Sequence, residues 1–251
     1  MTLMSFTRIL TAILMIPYYL FNYTFNDYAS PAVSTEGAYL FCYFVGNEVD
    51  EQTLHFAVST DGYNFNALKN NEPIIDQKLG TGCVRDPYIL KGVDENGRDC
   101  YFIIATDMNA LEGWTSNHSL ITWKSYDLVN WFDETVIDIR QFEGFETTTR
   151  AWAPQAIWDE NAQMYMVYWA NSTAENDCAG HYYAYTKDFK TFETEPQVLF
   201  GRWNEVDPET GETRNVQCID GDIIYNEKDG CYYLYFKEDL TQKIAYVRSK
   251  N

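Results

Sequence analysis

Cys83-Val84-Arg85-Asp86-Pro87-Tyr88-Ile89-Leu90 opens a unit that the rest of the chain repeats. A carboxylate stands at its head, the turn cluster Asp94-Glu95-Asn96-Gly97 follows about ten residues on, and an apolar strand from Cys100 to Thr106 ends at Asp107. The same order returns at Trp152-Ala153-Pro154-Gln155-Ala156-Ile157-Trp158, which leads through Asp159-Glu160-Asn161-Ala162 into Met164 to Ala170. It returns again at Cys218-Ile219-Asp220-Gly221-Asp222-Ile223-Ile224-Tyr225, which leads through Asn226-Glu227-Lys228-Asp229-Gly230 into Tyr232 to Lys237. Apolar runs of this length, joined by clusters rich in Asn, Asp and Gly, predict β-hairpins.

Counting outward from these hairpins gives the fold. Apolar strands led by Tyr39, Tyr101, Tyr165 and Tyr233 recur at spacings of 62, 64 and 68 residues. A second marker, Ser or Thr followed two residues later by Asp and then by an aromatic residue, recurs at Ser59-Thr60-Asp61, Ser125-Tyr126-Asp127 and Thr186-Lys187-Asp188, and a fourth begins at Ser249. A period near 64 with about four short strands per repeat and almost no helical periodicity predicts an all-β chain, a β-propeller of the five-bladed type with about 65 residues per blade. The markers read as turns between third and fourth strands, with Asp61, Asp127 and Asp188 bonding local amides and Phe65, Trp131 and Phe192 filling gaps between blades. The Asp94, Asp159 and Asn226 clusters read as hairpin turns, not calcium loops. An inner strand precedes Tyr101, Tyr165 and Tyr233, but none precedes Tyr39, and Lys250-Asn251 lies inside a blade. The ring as written does not close, so about three and a half blades are expected here, with the remainder beyond the C-terminus.

Composition limits the partners. Lys and Arg number 18 against 37 Asp and Glu, a formal net charge of -19. Nucleic acid and anionic membrane surfaces would be repelled. Aromatic residues make up 17% of the chain, with 20 Tyr and 7 Trp, which suits pleated surfaces and the faces of a neutral polysaccharide or oligosaccharide. The six cysteines form no CxxC pair, which argues against zinc and leaves disulfides or small buried residues open. His55, His118 and His181 are scattered without metal-binding spacing.

Residues 1–30 differ from the remainder. Arg8 is followed by an apolar run from Ile9 to Leu20, too short for a membrane span and similar to the core of a signal peptide. This segment is expected to be a signal peptide or a disordered N-terminal segment, the protein secreted or extracytoplasmic, and residues 31–251 one domain. Asn22, Asn117 and Asn171 head glycosylation sequons.

In a propeller the inner strands line the central channel, which gathers Asp86, the Trp152-Ala153-Pro154 corner and Asp220 around one funnel. Two carboxylates from separate blades suit inverting glycoside hydrolysis, one deprotonating water while a carboxylic acid protonates the leaving oxygen. Arg85-Asp86-Pro87, Trp152-Ala153-Pro154 and Ile219-Asp220-Gly221 together resemble glycoside hydrolase family 43, and the resemblance runs from about Ala38 to the end of the chain. It implies a five-bladed propeller active on arabinose- or xylose-containing plant polysaccharides or oligosaccharides, as arabinofuranosidase, arabinanase or xylosidase. It implies Asp86 as general base, Asp220 as the carboxylate that tunes the acid, and Trp152 as a sugar-stacking residue. Arg85, Gln155, Asp107, Trp114, Asn117 and Asp222 are candidate substrate contacts.

No cofactor is required on this reading, and a structural calcium in the central channel is left open. Two departures matter. Gly221-Asp222 stands where the family often has proline, so either Asp220 or Asp222 could face the axis, their two-residue spacing placing them on one strand face. No Glu-Gly motif heads a later inner strand, and Glu143-Gly144 reads as a loop, so the general acid is expected beyond Asn251. An alternative register makes Gln155 a degraded Asp and Asp220 a stand-in for Glu, giving a propeller that binds sugar without cleaving it.

Overall fold

A computed structural model of the chain describes residues 37–173, 180–206, 210–238 and 241–250. The proposed signal segment, Asn22 and Cys178 lie outside them. The described residues divide into two compact units, one holding residues up to Tyr43 with Leu54–Asp76, the other Phe44–Thr53 and everything from Gln77 onward. Among the described residues helix is confined to the single 3-10 turns Lys69–Asn71, Ala110–Glu112 and Ile139–Gln141, and none of these is long and apolar enough to cross a membrane.

The first unit carries one three-stranded antiparallel sheet of β1 (Tyr39–Tyr43), β2 (His55–Ser59) and β3 (Asn66–Ala67). Every residue of β2 is buried, while Tyr39 and Phe41 on β1 are exposed.

In the second unit, β4 (Val84–Val93), β5 (Asp99–Asp107), β6 (Ser119–Ser125) and β7 (Trp131–Asp138) form a four-stranded sheet in chain order. A second four-stranded sheet is made by β8 (Arg150–Asp159), β9 (Met164–Ser172), β10 (Gly180–Thr186) and β11 (Gln197–Gly201). After the small hairpin of β12 (Glu205–Val206) and β13 (Thr213–Arg214) come β14 (Cys218–Asn226), β15 (Cys231–Glu238) and β16 (Lys243–Ser249) in a three-stranded sheet. Sheets of three, four, four and three strands are the three and a half blades expected from the repeat. Among the described residues, the first sheet has no strand at the innermost position and the last has none at the outermost.

Register confirms the repeat and corrects its last member. The leading tyrosine of each second strand pairs with the marker Ser or Thr of the third: Tyr39 with Ser59, Tyr101 with Ser125, Tyr165 with Thr186. In the last sheet Ser249 pairs with Tyr232, not Tyr233. Consecutive tyrosines at 232 and 233 made both parities readable, and a slip of one residue exchanges the two faces of a strand.

The marker turns are local chemistry. Asp61 Oδ1 accepts the amides of Tyr63 and Asn64 at 2.8 Å each, Asp127 Oδ1 those of Val129 and Asn130 at 2.9 and 2.7 Å, and Asp188 Oδ1 that of Lys190 at 2.8 Å. The hydroxyls of Ser59, Ser125 and Thr186 accept the amides of Gly62, Leu128 and Phe189, each in the left-handed region with φ of 75°, 65° and 61°. The hairpin turns are equally self-contained. Asp94 Oδ1 accepts from Asn96 and Arg98, and Asp159 Oδ1 from Asn161 and Ala162.

The core of the second unit lies between its two four-stranded sheets. Phe102, Ile104 and Leu120 from one face Tyr165, Val167 and Trp169 from the other. The plug between them is Phe189, whose ring stacks on Phe102 at 4.3 Å and meets Tyr165 at 4.9 Å. Phe192, the residue expected there, packs further out on Phe142 and Trp169, and Phe65 in the first unit is 41% exposed. Cys42, Cys83, Cys100 and Cys231 are free and buried, Cys218 is buried, and burial pushes the thiols of Cys42 and Cys100 up to about 12 and about 11.

Candidate active site

Each inner strand of the second unit is broken at the same place. In β4 the ladder to β5 runs from Arg85–Thr106 to Tyr88–Ile104, so Asp86 and Pro87 together oppose the single residue Ala105. In β8 Ala153 and Pro154 oppose Trp169, and in β14 Asp220 and Gly221 oppose Phe236. The first residue of each bulge is left-handed, with φ of 47° at Asp86, 47° at Ala153 and 56° at Asp220. Bulges bend the strand and re-aim a side chain, and non-glycine residues held at positive φ mark sites where backbone strain is maintained. Asp tolerates this region better than most residues.

The equivalence settles the register. Asp86, Ala153 and Asp220 occupy one position, and Tyr88, Gln155 and Asp222 occupy the next ladder position. Gln155 is therefore not a degraded Asp at the bulge. Asp220 and Asp222 do not share a face by simple alternation either, because the bulge intervenes between them. The sequence could not show a bulge.

The Asp86 carboxylate is strongly perturbed. Burial pushes its pKa up, the charge of Asp220 adds to this, and the charge of Arg85 opposes it, leaving a value of about 6. Asp220 itself is exposed. Arg85 is buried, its Nη1 donating to Asn47 Oδ1 at 2.8 Å, with its guanidinium 4.5 Å from the Phe44 ring and 5.2 Å from Trp114. Trp114, 52% exposed, stands edge-on to Trp152 at 6.3 Å. Arg150 lies 5.0 Å over the Trp152 ring, and its Nε donates to the Trp114 carbonyl at 3.2 Å. Trp152 also packs on Ala170 and Ile219, the residue before Asp220. Arg85, Trp114 and Trp152 thus form one aromatic and cationic wall beside the bulges.

The other candidates sit differently. Asp107 is buried, and its Oδ1 accepts from Thr81 N at 2.8 Å, Thr81 Oγ1 at 2.9 Å and Gln77 Nε2 at 3.3 Å, so it anchors the loop before β4. Asn117, also buried, donates through Nδ2 to the carbonyls of Asp107 and Ser119 and accepts Ala151 N at 2.6 Å. Both side chains are engaged by hydrogen bonds within the fold. Asn117 and Asn171, 1% and 0% exposed, are closed to a glycan as well. Gln155 Oε1 accepts the Tyr168 hydroxyl at 2.8 Å, which in turn accepts Ile223 N at 2.9 Å, a tie between adjacent sheets. Asp222 is half-buried, which raises its pKa, and its charge reaches Tyr88. Glu143-Gly144 lies in an exposed loop after Ile139–Gln141. Among the described residues no group of three or more His, Cys, Asp and Glu is placed to hold a metal ion.

Two residues were not foreseen. Thr106 Oγ1 accepts Ala153 N at 2.9 Å. His181, fully buried, lies against Gly221: a Cβ built there would be 2.5 Å from His181 Nε2. The bulges of β4 and β8 have Pro87 and Pro154 at that position, so the imidazole lies where a side chain at Gly221 would stand. Both contacts cross between blades, and comparing the aligned repeats for a lone hydroxyl or a missing proline is the signal that points to them.

A chain of bulged, four-stranded blades with paired carboxylates at their inner ends has the fold of the five-bladed glycosidases. The structure superposes on the exo-β-1,3-galactanase of Clostridium thermocellum with a TM-score of 0.59 at 12% identity, covering 85% of this chain and 43% of that one. For the exo-β-1,3-galactanase of Phanerochaete chrysosporium with galactose the values are 0.53 and 10%, covering 84% and 45%. The chain belongs to the glycosyl hydrolase 43-related family, whose model, described as "Probable glycosyl hydrolase domain", matches residues 35–251. It is 28% identical over 204 residues to an α-L-arabinofuranosidase of Bifidobacterium longum subsp. longum, covering 71% of this chain and 17% of that protein. The chain therefore spans under half the length of each of these relatives.

Proposed function

We propose that this chain carries the base side of an inverting glycosidase site acting on α-L-arabinofuranosides of neutral plant polysaccharides or oligosaccharides. The supporting observation is the pair Asp86 and Asp220, set at the same bulge position of two blades, with Asp86 held near a pKa of about 6. A general base works best when its pKa lies close to the working pH. Asp86 would take a proton from water as the water oxygen bonds the anomeric carbon and the glycosidic C–O bond breaks. The leaving oxygen takes its proton from a separate carboxylic acid, roughly 6.5 to 9.5 Å from the base. Asp220 sets the field that this exchange takes place in, and Trp152 and Trp114 offer ring faces to the sugar. The choice of arabinose rests on the named relative in Bifidobacterium longum. A net charge of -19 favours a neutral glycan.

The test is turnover of p-nitrophenyl α-L-arabinofuranoside beside the β-D-xyloside and β-D-galactoside, with the anomer of the first product read by NMR. Faster release of arabinose with inverted configuration is expected. Retained configuration would remove the mechanism, faster turnover of either comparator would replace the sugar, and binding of arabino-oligosaccharide without turnover would make the chain a sugar-binding propeller.

A further inference from the structure

Residues 44–53 connect β1 to β2, yet they belong to the second unit, with Arg85 and the loop that carries Trp114. Gln52 is where the three meet, and its side chain is fully buried. Its Oε1 accepts Ala110 N at 2.8 Å and Arg85 Nη1 at 3.5 Å. Its Nε2 donates to the Asn47 carbonyl at 3.0 Å, to Asn109 Oδ1 at 3.4 Å and to the Glu48 carbonyl at 3.5 Å. A carboxamide offers two lone pairs and two hydrogens, so its capacity is fully used. The amide can sit only one way round, because Ala110 N can only donate and the Asn47 carbonyl can only accept. The Gln52 carbonyl in turn accepts Val84 N at 2.8 Å, two residues before Asp86. The turn that begins at Ala110 leads into Trp114: Asn109 Oδ1 accepts Leu111 N at 3.1 Å, and Gly113, at φ of 103°, donates to the Ala110 carbonyl at 3.1 Å. The Trp114 ring then lies 5.2 Å from the Arg85 guanidinium, which Phe44, at the head of the 44–53 segment, meets at 4.5 Å.

We propose that Gln52 is a positioning residue for the sugar-facing wall: by accepting from both Ala110 and Arg85 it holds the Trp114 loop against the guanidinium and keeps the exposed ring where a neutral glycan can stack on it. Gln52 touches no sugar itself. The inference rests on the proposed arabinofuranoside site for the identity of the sugar, while the anchoring of Trp114 can be read without one. Asn47 Oδ1 also accepts Arg85 Nη1, at 2.8 Å, so the guanidinium stays tied when Gln52 is replaced, and the change falls on the Trp114 loop.

The experiment reads Trp114 by 19F NMR of the full chain labelled with fluorotryptophan, without sugar, its resonance assigned by its loss in Trp114→Phe. In parallel, kcat and KM are measured for p-nitrophenyl α-L-arabinofuranoside. Gln52→Leu should move the Trp114 resonance toward its position in the urea-unfolded chain and raise KM about 3- to 10-fold, the worth of one aromatic contact, with kcat nearly unchanged. Gln52→Glu, which keeps an oxygen to accept from Ala110 and Arg85, should restore both. Should the leucine variant fail to fold, Gln52→Met is read against Gln52→Glu in the same way. An unmoved resonance in a folded Leu or Met variant overturns the proposal, as does an equal displacement in the Glu variant, which would assign the effect to packing. A displaced resonance with turnover at unchanged KM overturns it too, since the ring would then not face the sugar. A displaced resonance in a protein without turnover keeps the anchor and removes the hydrolytic reading; turnover with an unmoved resonance does the reverse.

Discussion

Asp86 and Asp220 hold the same position in two different blades, each the first residue of a two-residue bulge and each left-handed, with φ of 47° and 56°. The third member of the set is Ala153, so the fold presents three bulge heads and arms two of them with carboxylates. The charge of Asp220 is felt at Asp86, which lies deeper and titrates near 6. The following expectations rest on that asymmetry.

Asp86→Asn should abolish most turnover and stabilise the protein. A pKa raised from 3.8 to about 6 means that the native state binds this proton more tightly than the unfolded chain does. Stability from this group is therefore fully present below pH 3.8 and lost as pH rises through 6. At neutral pH the ionised carboxylate costs about 3 kcal/mol, which the neutral amide would regain. Turnover should fall about 100- to 10,000-fold. Urea denaturation at neutral and acidic pH checks the first claim: a gain at neutral pH that vanishes in acid is expected, and a constant difference would count against the linkage.

Asp220→Asn should move the acidic limb of the rate profile to lower pH. Removing the like charge lets Asp86 ionise more easily, but burial is the larger cause of its raised pKa and remains. The limb should therefore stop short of the ordinary carboxylate range. A limb that stays in place would show that the two carboxylates do not sense each other.

Gly221→Ala should damage the site more than the fold. The new Cβ would meet His181 Nε2 at 2.5 Å, and the imidazole, buried and with its pKa lowered to about 4 by that burial, has little room to withdraw. The bulge is the part free to shift, and Asp220 shifts with it. Activity and the Asp86 titration should change together, with a modest fall in Tm; His181→Ala combined with Gly221→Ala should recover part of the loss. A double variant no better than the single one would contradict this packing account.

Much of this was legible in the chain because its causes are local. A period near 64 residues and turns closed by Ser59, Asp61, Ser125 and Asp127 on their own amides need no tertiary knowledge. Asp86 and Asp220 were readable as strand heads for the same reason. The residues whose surroundings the sequence did not show are those whose partners are distant in sequence. Asn117 and Asp107 look like loop polar groups until their burial against Ala151 and Thr81 is seen. Thr106 and His181 act on bulges in neighbouring blades, and a bulge leaves no mark in an alternating pattern.

Phe189→Ala tests the plug between the four-stranded sheets. The side chain is 1% exposed, stacked on Phe102 and in contact with Tyr165, so its deletion should cost about 3 to 5 kcal/mol. Its backbone adds a second handle. Phe189 holds φ of 61°, where alanine pays a penalty of about 1 to 2 kcal/mol that glycine does not. Its carbonyl meanwhile accepts the Thr122 hydroxyl at 2.7 Å and keeps the turn in place. Phe189→Gly should therefore be no more destabilising than Phe189→Ala, although it removes more side chain. Phe192→Ala, further out, should cost less than either. Denaturation midpoints of the three variants give the order directly, and a glycine variant clearly weaker than the alanine variant would mean that the turn relaxes out of the left-handed region once the ring is gone.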